Sequence, residues 1–289
     1  MRSWRVLAGK TLILVLILSL AACNAVRLGY NHGETLTYWW LNSYIDVNVD
    51  QRPWIKQRIA RFFQWHRATQ LKDYAQLLAQ TQKEVQHPVS PQELLATYED
   101  ARKRMFAVID RTLPDLADLA LSLKPDQIKQ IEKKFASSND DYRKDYLRGD
   151  AEQRQRFRFK KVMEQAEYWF GSFNNEQEAV IRKASDARIL DNELWFAGRQ
   201  YRQRELIALL KKIQAERPSR EATIGMLRGY ATTMIEHAGG GEHELFYAAA
   251  RDGAAGVAAT IINCTTPAQK AYAVRRLQQW IDNFNALAG

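Results

Sequence analysis

Cysteine is almost absent: Cys23 and Cys264 are the two in 289 residues. At most one disulfide is available, so the fold must rest on packing. Strict alternation of apolar and polar residues is also missing, which argues against a sheet. The chain carries no Gly-x-Ser-x-Gly and no Ser-x-x-Lys, the common settings of an activated serine. Metal signatures are incomplete. His243-Glu244-Leu245-Phe246-Tyr247 begins like a zinc-binding helix but has Tyr247 where the second histidine must stand. Glu84 and His87 have the spacing of a di-iron ligand pair, yet there is one copy where two are needed, and Pro88 follows at once. No metal site and no cofactor is expected. Acids are the minority, 33 against 42 lysines and arginines, for a formal charge of +9.

What is present begins at the N-terminus. Arg2, Arg5 and Lys10 precede an uncharged, mostly aliphatic run from Thr11 to Leu20, followed by Ala21-Ala22-Cys23. A charged start, a short apolar run and small residues at the exit make a secretory leader. Thr11 to Ala22 would span roughly 18 Å as a helix, against about 30 Å of hydrocarbon, too short for a comfortable span. Leu20-Ala21-Ala22-Cys23 resembles the lipobox of bacterial lipoproteins. That resemblance implies cleavage between Ala22 and Cys23 and diacylation of Cys23. With Asn24 next rather than Asp, it implies the outer membrane of a Gram-negative cell, facing the periplasm. Cleavage would leave 267 residues, and loss of the three leader cations would lower the charge to +6. Nucleic acid would suit that sign but not the compartment. The lone Cys264 is then expected to be a buried apolar residue or an intermolecular thiol.

Residues 24–35 hold two glycines and little periodicity, so residues 23–35 read as a lipidated tether and 36–289 as the folded domain. From about Leu36 onward, apolar residues recur at helical spacing. Examples are Ile55, Ile59, Phe62, Phe63 and His66; Leu71, Tyr74, Leu78 and Val85; and Val274, Leu277, Ile281 and Phe284. Leu94, Tyr98, Ala101, Met105 and Val108 form a seam of the kind that packed helices share. An all-α bundle of about eight to ten helices is expected. Five segments place Gln or Glu three residues after a presumed cap: Asn48–Gln51, Ser90–Glu93, Lys124–Gln127, Asn174–Gln177 and Thr266–Gln269. Each reads as a helix start, with the long side chain reaching back to the cap amide. Lys124 differs, since an ammonium cannot accept the return bond.

Leu123-Lys124-Pro125-Asp126-Gln127 and Phe173-Asn174-Asn175-Glu176-Gln177 resemble the Leu-Thr-x-x-Gln motif of the Spy-related periplasmic chaperones, without the threonine. A fuller resemblance is to an uncharacterised family of helical proteobacterial lipoproteins. It is carried by the lipobox, Leu28-Gly29-Tyr30-Asn31, the segment Tyr38 to Asp46, and Gln51 with Trp65-His66-Arg67. It implies localisation and helicity over nearly the whole mature chain, and no activity.

The densest charge lies between Tyr142 and Lys161, where eight bases face three acids. Arg154, Arg156, Arg158, Lys160 and Lys161 are the candidate binding residues for an anionic partner, with Tyr142, Tyr146, Phe157 and Phe159 interleaved. Arg199, Arg202 and Arg204 extend the face if their helix lies alongside. A solvated helix face is the plainer reading. His66 lies on an apolar stripe and reads as a satisfied core histidine. Tyr38, Trp39, Trp40 and Tyr44 suit either a helix-packing core or a membrane interface, and the core is favoured. The expected partners are the membrane, through the N-terminal lipid, and an envelope protein, anionic lipid or glycan. The expected role is non-enzymatic scaffold-like or chaperone-like holding. The alternative is a peptidoglycan-acting hydrolase whose carboxylates meet across helices. Helical lytic transglycosylases share a Glu-Ser pair, which this chain lacks.

Overall fold

In the computed structural model, residues 26–189, 191–236 and 243–289 are described. The leader and Cys23 lie outside them. Among the described residues there is no strand, and eleven α-helices follow a helical stretch at 26–31. They are α1 (Gly33–Ile45), α2 (Gln51–Trp65), α3 (Leu71–Glu84), α4 (Pro91–Ser122), α5 (Pro125–Tyr142), α6 (Ala151–Phe170), α7 (Asn175–Asp186), α8 (Asn192–Glu216), α9 (Arg220–Glu236), α10 (Glu244–Cys264) and α11 (Pro267–Ala288). A π turn at His66–Gln70 joins α2 to α3, and another at Arg143–Leu147 extends α5. With α2 and α3 run together, the bundle has ten rods.

The ten are held around two main cores. In the first, Ile45, Ile55, Leu113, Ile128, Ile213 and Leu227 bring α1, α2, α4, α5, α8 and α9 together. In the second, Val85, Phe170, Ile262, Ala273 and Leu277 join α3, α6, α10 and α11. A smaller cluster of Phe159, Met163 and Ile181 seats α7 on α6. Two long rods link the cores. The α2–α3 rod runs about 50 Å and α4 about 48 Å at 1.5 Å per residue. Because α4 serves both cores, its middle is the least covered part. Tyr98 and Met105 of the expected seam are exposed, and burial resumes only at Leu113, Ala117 and Ala120. The alanine-rich α10 is long and apolar enough to cross a membrane by length and composition. It carries Arg251 and Asp252, however, and packs against α4 and α7, as a bundle helix does.

Four of the five expected helix starts coincide with observed ones, and the remaining one, at Asn48, falls two residues ahead of the observed cap position Asp50 of α2. Ser90 and Glu93 form a reciprocal box, as do Asn174 with Gln177 and Thr266 with Gln269. Asn48 accepts from the Gln51 amide at 2.9 Å, and Gln51 accepts from the Asn48 amide at 3.3 Å. At Lys124 half of the box forms. Gln127 accepts from the Lys124 amide at 3.1 Å, while its own amide turns to the Lys124 carbonyl. A box at Asp150–Gln153 and caps at Asp191 and Ser219 mark further starts. Asn174→Ala and Thr266→Ala should each lower stability by about 0.5–2 kcal/mol without touching any binding surface. Urea unfolding checks this, and unchanged midpoints in both would refute the caps.

Residues 26–35 are helical and docked rather than an irregular tether. Tyr30 bonds His66 Nδ1 at 2.8 Å, Arg67 lies 4.9 Å over the Tyr30 ring, and Arg27 donates to Asn283 at 2.8 Å. The aromatic box around His66 supplies the energy that local periodicity did not reveal, since Tyr30 and Tyr74 pack on it from different helices. Burial pulls the His66 imidazole below its ordinary pKa. At neutral pH it therefore stays uncharged, with Tyr30 as its partner, as expected of a core histidine. Cys264 is half-buried beside the smaller cluster, and burial pushes its thiol up.

Candidate functional site

The basic face is built where α5 ends and α6 begins. The π turn carries Arg143, Lys144 and Tyr146, and Asp150 caps α6 so that its first turns present Arg154 to Lys161. On this helix Phe157 and Phe159 point in opposite directions. Phe159 is buried, with the Arg182 guanidinium 3.8 Å over its ring, and it anchors α6 to α7. Phe157 stays outside, 37% exposed, and meets Tyr146 edge-on at 5.8 Å.

From there a row of rings continues. Tyr146 lies 4.7 Å from Tyr142, and Tyr142 stacks on Phe196 of α8 at 5.4 Å. Three cations cap the row. Lys161 sits 5.6 Å from Phe157, Arg143 4.7 Å over Phe196, and Arg199 5.8 Å from Tyr142. The structure thus joins the charged stretch to α8 through aromatic contacts. Arg199 belongs to this ladder and is steadied by Ser138 and Asn139. Arg204 instead lines a shallow depression between α5 and α8.

The five candidate cations do not share one environment. Arg156, Lys160 and Lys161 are exposed. Arg156 pairs with Glu152 and Lys161 with Glu164, both along the same helix. Such exposed pairs contribute about 1 kcal/mol or less and release readily to a competing anion. Arg154 is half-buried and reaches the Leu147 carbonyl. Arg158 is half-buried too. Burial first, then the neighbouring Arg188 charge, pulls its guanidinium below the ordinary arginine value, while Asp186 acts the other way. Arg158 is part of the packing as much as of the surface.

A second surface feature lies at α1. Tyr38 and Tyr44 pack on the first core as expected, but Trp39 and Trp40 are 63% and 61% exposed. The core reading therefore holds for the tyrosines and fails for the tryptophans, because the adjacent residues 38, 39 and 40 point about 100° apart and a helix packed on one side cannot bury all three. Beside Trp40, a groove of about 210 Å³ runs between α1, α2 and α4, lined by Leu41, Trp54, Ile59, Phe62, Leu116 and Leu119. At its edge Asp115 and Asp118 converge on Arg58, and Arg220 takes the far side of Asp118. These carboxylates tie α2, α4 and α9 together. Among the described residues no three of His, Cys, Asp and Glu converge as metal ligands.

Most of these elements fall in one segment that recurs in other proteins, residues 43–224. The chain belongs to the family of unknown function DUF6279. The match covers well over half of the sequence and takes in both ends of the ladder. It begins after Trp40, so the docked N-terminal segment lies outside it. It agrees with the resemblance to an uncharacterised family and does not bear on lipidation or on the Spy-related chaperones. No curated protein and no solved structure matches the chain.

Proposed function

We propose that the protein is a lipid-anchored, non-enzymatic binding protein at the periplasmic face of the outer membrane, holding an acidic partner in a scaffold-like or chaperone-like way. The observation that carries this reading is the cation–aromatic ladder from Lys161 through Phe157, Tyr146 and Tyr142 to Phe196. It offers both things an unfolded acidic segment needs: positive charge and, at Phe157 and Tyr146, ring surface open to solvent, with the buried Phe196 anchoring the row to α8. Phe157 and Tyr146 are held by neighbouring rings, so little ordering entropy is lost on contact. The charges act over roughly a Debye length, about 8 Å at physiological salt.

The test replaces Arg156, Lys160 and Lys161 together with Gln, sparing the half-buried Arg154 and Arg158. Helical signal and melting temperature should be unchanged. Affinity for an acidic unfolded protein at low salt should fall about ten- to a hundredfold, since each exposed pairing contributes up to ~1 kcal/mol and 1.4 kcal/mol is a factor of ten. Wild-type binding should weaken as salt rises. Equal affinity of variant and wild type at low salt would leave the ladder a solvated face and remove the support for this function.

A further inference from the structure

The N-terminal helix is two-sided. Backbone bonds run from His32 to Leu28 at 3.1 Å and from Leu36 to His32 at 3.0 Å, so the helical turns of 26–31 lead directly into α1. At 100° per residue, Leu28, Leu36, Trp39 and Trp40 fall within a 120° arc. They are 60%, 50%, 63% and 61% exposed. The opposite side holds Tyr30 and Tyr38 against the body, while Tyr44 packs on the core beside Trp40, their ring centroids 5.1 Å apart. Each of those tyrosines carries a cation over its ring: Arg67 at 4.9 Å, Lys56 at 4.9 Å and Lys134 at 5.7 Å. The acid of α1, Glu34, lies outside the apolar arc. A largely apolar, tryptophan-bearing strip, with exposed His32 and Ser43 in the same arc and no acid, fits the boundary of a bilayer, where indole rings settle at headgroup level.

The length of chain before this helix selects the occupant. Three residue steps separate Cys23 from Val26, at most about 10 Å of extended chain. With acyl chains on Cys23 in the membrane, the first turn cannot leave the headgroup region. We infer that this helix lies on the lipid surface through Leu28, Leu36, Trp39 and Trp40, fixing which side of the bundle faces the membrane. The inference rests on the lipid-anchored reading above.

The experiment uses the mature protein as purified from cells, with acylation of Cys23 read by mass, in vesicles of phosphatidylethanolamine and phosphatidylglycerol with and without brominated acyl chains. Brominated lipid should quench part of the tryptophan emission. Most of that quenching should vanish in the W39A/W40A double variant, which should float with the vesicles and keep its helical signal. A wild type that floats but is not quenched overturns the membrane face and leaves the anchor intact. Quenching without acyl label on Cys23 upholds the face and overturns the anchor. An unquenched dimer that the double variant converts to monomer would assign the strip to a second copy and overturn the inference.

Discussion

Gln127→Ala should lower stability by about 2–4 kcal/mol, several times the cost of Gln153→Ala, although both residues hold the same position in a capping motif. The difference lies in what the amide nitrogen does. Gln127 is 4% exposed. Its Oε1 accepts from the Lys124 amide, and its Nε2 donates to the carbonyls of Ile45 and Asp46 at 3.0 and 3.2 Å and to Gln51 Oε1 at 2.7 Å. Gln51 reciprocates, donating to Gln127 Oε1 and to the Ser122 carbonyl, both at 3.2 Å. Each glutamine thus ties the start of its own helix to the last carbonyl of the helix preceding the other. Those carbonyls have no intrahelical partner. Removing Gln127 strands a buried acceptor at Ile45 and half of the Gln51 amide, each at about 1–3 kcal/mol. Gln153 bonds only within its own exposed turn, so its loss should cost under about 1 kcal/mol. Urea unfolding of Gln51→Ala, Gln127→Ala and the double variant should return a coupling of at least ~0.5 kcal/mol. Equal costs for Gln127→Ala and Gln153→Ala, or additive effects of the first pair, would sink the clasp.

The same device closes the other core. Gln177 donates to the Cys264 carbonyl at 2.7 Å and to Gln269 at 2.8 Å, while Gln269 donates to the Ser172 carbonyl at 2.7 Å. Four of the five repeated helix starts are therefore two cross-chain clasps, one per core. The fifth, Ser90–Glu93, stays a local box because a carboxylate has no proton to donate onward. The caps were legible in the sequence because cap and N3 residue are three apart and their chemistry is local. Their pairing was not, since the partners lie 76 and 92 residues apart. Choosing Gln over Glu at the four clasp positions was the one available signal. Fold class was legible for a similar reason: helical periodicity repeats every few residues. What escaped were the features that depend on neighbours distant in sequence. Periodicity placed His66 in a core but not the Tyr30 segment that covers it. It predicted a buried seam along α4, yet could not tell that the middle of that rod lies between cores. The charge run marked α6 as a surface, but only the fold connects it to Phe196 and Arg199.

Cys23→Ala should abolish acyl labelling and release the protein from the membrane fraction, or leave an uncleaved precursor. Residue 23 lies outside the described residues, so this expectation rests on Leu20-Ala21-Ala22-Cys23 and on magnitude. A single fatty chain anchors only marginally. Two or three, at ~0.8 kcal/mol per buried methylene, hold a protein for far longer than a purification takes. A surface strip such as Leu28, Leu36, Trp39 and Trp40 is a small supplement by comparison and should not retain the unacylated protein through washing. The effect should thus be near-total rather than graded, and independent of salt. That separates it from loss of the cation ladder, which should weaken binding of an acidic partner while leaving the protein membrane-bound. Metabolic labelling with a palmitate analogue, followed by fractionation in low and high salt, reads both quantities at once. Equal label in wild type and Cys23→Ala would end the lipoprotein reading. Label lost but membrane association kept in high salt would show that the folded helices, not the lipid, carry the attachment.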